Sequence, residues 1–224
     1  MKVEIWSDIV CPWCYIGKRR FEAALARFPQ REQVEVVWRS YELDQRAPTQ
    51  SALSVTEMLA QKYGTSLEGA AAMNERVTGI AAQEGLDYHL ENARYSNTFD
   101  AHRLVHLATK HGRQDEAEER LMAAYFSEGV SVGDTEALVQ LAAEIGLDSA
   151  EARTALGGDA FADDVRADEQ RARTLGINGV PFFVIDEKYG VSGAQPAATF
   201  SEALELAWAE SHPLVQVGAP PGSR

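Results

Sequence analysis

Residues 7–21, "SDIVCPWCYIGKRRF", hold both cysteines of the chain, Cys11 and Cys14, where an alternating segment gives way to a helical one. A disulfide between them closes so short a loop that it removes little entropy from the unfolded chain, so stability is not what the spacing serves. Thiol chemistry is the other use. It asks for a thiolate, an accessible sulfur and a second thiol near enough to resolve a mixed disulfide. At a helix start the free N–H groups and the positive end of the macrodipole favour negative charge, lowering a thiol from its free pKa of about 8.5. Cys11, outermost, is then the nucleophile, and Cys14, one turn inward and shielded, the resolving thiol. Pro12 suits the first helical position, where its missing N–H would have had no partner. Trp13 is either an exposed apolar platform for a substrate chain or a buried packing residue.

The flanking sequence sets this motif in a fold. Residues 2–7, "KVEIWS", alternate Val3 and Ile5 with Glu4 and Trp6, a period of two that predicts a strand. From Pro12, the residues Ile16, Phe21, Ala24, Leu25 and Phe28 recur at helical spacing until Pro29 ends the run. "QVEVVWRSYEL" (33–43) is β-branched and aromatic and predicts a second strand, giving a βαβ opening expected to be parallel and right-handed. From about Ser54 to Gly176 the chain is rich in Ala, Glu and Leu and reads as five to seven helices. "GVPFFVIDEKYGVSGAQP" (179–196) predicts a short strand, a turn containing Gly190 and a second strand, and Ala197–Glu210 returns to helical spacing. The closing "PLVQVGAPPGSR" reads as a loose end or an arm packed on the body. Two sequence-distant pieces thus build one sheet, with the helical block as a cap.

At 224 residues, 45% hydrophobic and 25% charged, the chain fits one globular domain carrying a substantial insertion. A formal net charge of -13 repels phosphate backbones and anionic lipid surfaces, which argues against nucleic acid and membrane partners. No apolar run approaches the ~20 residues needed to span a bilayer, and the start alternates instead of following a basic segment with an apolar one. A cytoplasmic location is therefore expected, where disulfides are usually transient and catalytic.

Half of a zinc site is the other use of a Cys-x-x-Cys. His102 and His106, spaced i, i+4, complete a Cys2His2 set on paper, but they lie about ninety residues from the cysteines, farther than finger-type pairs normally stand. A helix with half-buried imidazoles is the commoner meaning of "FDAHRLVHLATKH". In "GINGVPFF", Pro181 enters a strand after a turn, which makes Val180–Pro181 a candidate cis bond, a trans edge proline being the alternative. A cis bond beside the cysteines would expose the Val180 backbone to pair with an incoming peptide.

Together, "SDIVCPWC" after a first strand, a helical insertion and "GVPFFVID" before the last hairpin resemble the DsbA-like thioredoxin-fold oxidoreductases. Within them the chain is similar to the cytoplasmic FrnE branch, related to 2-hydroxychromene-2-carboxylate isomerases and kappa-class glutathione transferases. The resemblance covers about 1–210 and includes "SNTFDAHRLVHLA" (96–108) and "KYGVSGAQP" (188–196). It implies an α/β thioredoxin-like fold (βαβ…ββα) with a large all-helical insertion. The thioredoxin-like domain would comprise 1–50 and 177–211, the insertion 51–176 and the tail 212–224. It further implies exchange chemistry at Cys11 and Cys14 against a cis-Pro181 loop, with Asn97, Thr98 and His102 near a substrate cleft. Two departures stand out. DsbA proteins commonly carry histidine between the cysteines, whose charge favours the thiolate; Trp13 does not supply it, so a weaker oxidant is expected. The buried acid that the family places six residues before the first cysteine is replaced by Ile5, leaving Asp8 as the nearest carboxylate, either a proton acceptor or a turn cap.

The first expectation is therefore a disulfide oxidoreductase or isomerase whose cysteine pair is the redox centre, needing no bound cofactor. Its substrates would be disulfide-containing proteins or small molecules, with glutathione or a thioredoxin-type reductant as partner. A glutathione-dependent isomerase of a small aromatic metabolite is the second expectation, and a metal- or partner-binding protein the third.

Overall fold

A computed structural model describes residues 1–212; the tail beyond His212, read above as a loose end or an arm, lies outside the described residues. Strand β1 (Lys2–Ser7) runs into helix α1 (Pro12–Arg27), followed by β2 (Glu35–Ser40). A hairpin of β3 (Phe182–Ile185) and β4 (Tyr189–Ser192), then α9 (Ala197–Ser211), completes this part of the chain. The sheet order is β2-β1-β3-β4. β1 pairs parallel with β2 from Lys2↔Glu35 to Ser7↔Ser40, and antiparallel with β3 from Val3↔Ile185 to Trp6↔Phe182.

The alternation in β1 serves two cores rather than a core and a solvent face. Val3 and Ile5, with Phe183 and Ile185, pack against Phe21, Ala24 and Phe28 of α1 and Phe200 and Leu204 of α9. Phe183 and Phe200 meet edge to face at 4.5 Å, and each such buried aromatic contributes roughly 1.5–3 kcal/mol. Trp6 faces the other way, packs with Ala172, Ile177 and Val184, and donates its indole N–H to the Asp168 carbonyl at 3.0 Å. Burial would raise the Glu4 carboxyl, but Arg171 and Arg39, at 2.7 and 2.6 Å, hold it below the usual range. The sheet is covered on both faces, as a sheet with a central parallel pair requires.

The hairpin turn differs from the expected one. Gly190 lies inside β4, where an added Cβ would sit 3.0 Å from the Phe182 ring. The reversal is made by Asp186 and Glu187, both at positive φ (48° and 58°). Asp186 holds that conformation with a carboxylate that accepts from the Lys2 N–H at 2.7 Å.

Between β2 and β3 the described residues form seven helices, the upper end of the expected range: α2 (Val55–Tyr63), α3 (Leu67–Gln83), α4 (Phe99–Lys110), α5 (Gln114–Phe126), α6 (Thr135–Glu144), α7 (Ser149–Gly157) and α8 (Ala162–Thr174). Their starts follow capping chemistry. Ser54 and Glu57 form a reciprocal capping box on α2, and Asp134 and Asp148 cap α6 and α7. One apolar core runs through this block and continues into Ile9, Cys11, Cys14, Tyr15 and Ile16 at the start of α1. β2 is shorter than the strand-like run 33–43: residues 31–33 form a 3-10 turn, and residues 41–43 lie past the strand's end, where the Leu43 N–H donates to Asp8.

Candidate active site

Cys11 is the N-cap of α1, in extended conformation, and Pro12 is its first helical residue. The turn is tied by Cys11 N–H to the Asp8 carbonyl and Cys14 N–H to the Cys11 carbonyl, both 3.0 Å. Both thiols are free. The Cys14 thiol is pushed well above its ordinary value, by burial and by the adjacent Cys11; the Asp8 main chain and the Ser7 hydroxyl act in the opposite sense. Cys11 is itself only 4% exposed and reaches solvent through a cavity it lines, so access is narrower than an open helix tip would give.

Opposite Cys11 stands the β3 approach. The Cys11 thiol points at the Val180 carbonyl at 3.7 Å, and the Val180–Pro181 peptide is cis. Gly17 makes this closeness possible: a Cβ there would lie 2.9 Å from Pro181 Cγ. Gly17→Ala is expected to push the Pro181 loop away from the cysteines and to cost about 1–3 kcal/mol in overpacking, read as a lower denaturant midpoint with an unchanged m-value.

The cavity holds about 600 Å³. Its inner wall is apolar, with Val55, Val77, Leu90 and Phe126 from the helical segment, and Trp13 stands at its edge 41% exposed. Trp13 is thus exposed rather than a buried packing residue. Tyr88 supports the helix start from behind. Its hydroxyl donates to the Pro12 carbonyl at 2.8 Å while its ring stacks on Phe126 at 4.5 Å.

Of the residues picked from sequence, Asp8, Cys11, Pro12, Trp13, Thr98 and Val180 line this cavity, and Asn97 and His102 do not. Asn97 is occupied at the start of α4, its amide donating to Glu42 at 3.1 Å and its oxygen accepting from the Phe99 N–H at 2.9 Å. His102 is fully buried, its Nε2 3.4 Å from Asp8 Oδ1. His106 turns elsewhere, toward Ser40 at 3.1 Å and Asp168 at 3.2 Å, so the two histidines do not converge on the cysteines. The Asp8 side chain does not cap α1: its Oδ2 accepts from the Leu43 N–H at 2.7 Å. Ile5 is in the core, as an apolar replacement for the missing acid should be.

Glu118 of α5 was not legible as a site residue. It is fully buried, and burial raises its carboxyl to about 7 despite His102 and Lys18 nearby. Burial would lower the His102 imidazole, but Asp8, Glu118 and Glu42 override it and hold it above its ordinary value. The signal for Glu118 was its register: it shares one helical stripe with Met122 and Tyr125, both buried, and so cannot face water.

Comparison with known proteins agrees with this architecture. The model of the DSBA-like thioredoxin domain matches residues 2–205. The crystal structure of a probable DsbA oxidoreductase from Streptomyces coelicolor superposes with a TM-score of 0.90 at 49% identity, covering 99% of this chain and all of that one. The protein YwbO of Bacillus subtilis is 28% identical over 205 residues, 90% of this chain and 94% of its own. The cytosolic disulfide reductase DsbM of Pseudomonas aeruginosa, solved with GSH, superposes with a TM-score of 0.65 at 18% identity, covering 92% of this chain and 98% of that one. With its strand order, its cysteine pair at the head of α1 and the family match over nearly its whole length, the chain belongs to the DSBA-like thioredoxin domain family of oxidoreductases.

Proposed function

We propose that the chain is a thiol-disulfide oxidoreductase or isomerase that works through a mixed disulfide on Cys11, resolved by Cys14. The observation that carries this reading is the asymmetry of the pair: Cys11 lines the cavity, while Cys14 lies behind it with a thiol held strongly protonated. A substrate disulfide entering past Trp13 meets Cys11, whose sulfur sits at the positive end of α1 with the Val180 carbonyl alongside. The Cys11 thiolate attacks one substrate sulfur and the other leaves as a thiolate. Cys14 then attacks Cys11, the Cys11–Cys14 bond forms, and the substrate departs reduced by two electrons while the pair is oxidised by two. The reverse sequence oxidises a dithiol substrate by the same steps.

The apolar cavity fits an apolar disulfide-bearing segment or small molecule as substrate, and glutathione or a thioredoxin-type protein is the proposed redox partner in a cytoplasmic setting. The solved cytosolic disulfide reductase with GSH supports this choice through its fold. No helix among the described residues is long and apolar enough to cross a membrane. The test is equilibration against graded mixtures of reduced and oxidised glutathione. Reversible loss of both thiols together, at a ratio more reducing than periplasmic oxidants require, is the expected result, with about 30 mV for each tenfold in the constant. A pair that stays reduced, or oxidises only irreversibly, overturns the reading.

A further inference from the structure

Next to the cysteine turn the protein gathers buried polar groups that lack well-formed hydrogen bonds, His102 Nε2 and Asp8 Oδ1 meeting only at 3.4 Å. Among the described residues, eight buried side-chain polar atoms lack a hydrogen-bond partner, and six of them belong to four residues: Ser7 Oγ, Asp8 Oδ1, His102 Nδ1 and Nε2, and Glu118 Oε1 and Oε2. Each such atom left dry costs about 1–3 kcal/mol, and in native structures such a group marks an ordered water, stored strain or a catalytic role. The four residues come from three places: Ser7 and Asp8 from the end of β1 and the turn after it, His102 from α4, and Glu118 from α5. Their position is equally specific. The Ser7 hydroxyl and the Asp8 main chain act on the Cys14 thiol, Asp8 is among the residues that line the cavity, and its buried carboxylate faces His102.

We propose that the Asp8–His102–Glu118 cluster holds the proton that Cys14 gives up when it resolves the mixed disulfide. The inference rests on the oxidoreductase reading above and names its acid–base half, which α4 and α5 supply in place of the acid that Ile5 displaces. The balance is simple. Cys14 loses its proton to the cluster, its sulfur attacks Cys11 Sγ, the Cys11–Cys14 bond forms, and the bond from Cys11 to substrate breaks with its electron pair on the departing sulfur. In the reducing direction of the pair the cluster returns the proton to Cys14. His102 and Glu118 act here as positioning and proton-holding residues, since neither lines the cavity. A carboxyl that titrates near 7 exchanges its proton readily at neutral pH, as the role demands. The groups facing Glu118 are His102 from α4, Lys18 from α1, Asp115 from its own helix and Asp8. Those facing His102 are Asp8, Glu118 and Glu42 after β2, and Asp8 also acts on Tyr41 and Tyr125.

The experiment starts from the whole protein carrying a mixed disulfide between Cys11 and a chromogenic aromatic thiol, and follows release of that thiol as Cys14 closes on Cys11. In the wild type the release rate should rise through an inflection near pH 7, where Glu118 loses its proton. In Glu118→Gln the inflection should vanish and release above it should slow by roughly 10²-fold, leaving only the steep rise set by the high thiol of Cys14. Glu118→Asp should restore an inflection at a shifted pH, which a packing role would not do. If Glu118→Gln releases the thiol with the wild-type profile, the cluster has no such role and the oxidoreductase reading stands. If no mixed disulfide forms on Cys11, that reading falls as well. Should the variants not fold, infrared difference spectra of the wild type between reduced and oxidised pair decide: a change in a protonated-carboxyl band supports the inference, and its absence overturns it.

Discussion

Cys11→Ser should remain folded and lose disulfide exchange by at least about 10³-fold, measured as reduction of a small disulfide under matched glutathione conditions. The hydroxyl replaces a sulfur that is 4% exposed and whose one side-chain hydrogen bond is the weak contact to the Val180 carbonyl, so little packing is lost. The chemistry is another matter. At a helix start a thiol can be brought to its anion at neutral pH, whereas a hydroxyl cannot, and no imidazole lines the cavity to activate a serine as a base would. Cys14→Ser should behave differently: the first attack persists and closure of the pair fails. If Cys11→Ser, or the double serine variant, retains turnover on a small aromatic substrate in the presence of glutathione, the isomerase reading replaces this one.

The second large effect concerns stability and pH. Glu118 keeps its proton up to about 7 in the folded protein, while in the unfolded chain a glutamate releases it near 4.5. Between those values the native state binds more protons than the unfolded one, so stability falls as pH rises through the window and levels off above it. The difference amounts to about 3 kcal/mol at pH 8 relative to pH 4. His102, raised above its ordinary value, contributes in the same sense: its stabilisation is full below 6.5 and is lost as pH rises through its folded pKa. Glu118→Gln, neutral at every pH, should therefore gain on the wild type by about 3 kcal/mol between pH 4 and pH 8, read from urea denaturation at each end. Equal slopes of stability with pH in the two proteins would show that Glu118 is ionised in the native state. The result matters for the chemistry, because a carboxyl with an ordinary pKa could not serve as the proton store under Cys14.

The sheet and the cysteine turn were legible because their signals are local. Val3 and Ile5 alternate with Glu4 and Trp6, Pro12 marks a helix start, and Pro181 marks a strand entry. Glu4 and Trp6 mark the other side of the strand; that this side meets α8 depends on a chain segment more than 150 residues away, which periodicity cannot report. The turn at Asp186 and Glu187 was missed because Gly190 is the stronger positive-φ signal, whereas Asp186 stabilises its own left-handed backbone through a tertiary bond to Lys2. Half of the site was hidden for the same reason. Family resemblance puts His102 near a substrate cleft, but the imidazole is buried against Asp8, and Glu118 in "QDEAEERLM" reads as one more acid on a solvated helix unless its stripe with Met122 and Tyr125 is noticed. Asn97 shows the converse: a polar residue in the right stretch is occupied by capping, and Thr98 beside it faces the cavity.

The central claim is that Cys11 makes the first bond and Cys14 breaks it. Cys14→Ala, incubated with a disulfide-bonded peptide and quenched in acid, should accumulate a mixed disulfide on Cys11 detectable by mass spectrometry, while Cys11→Ala should accumulate none. A mixed disulfide on Cys14, or equal trapping by both variants, would contradict the account.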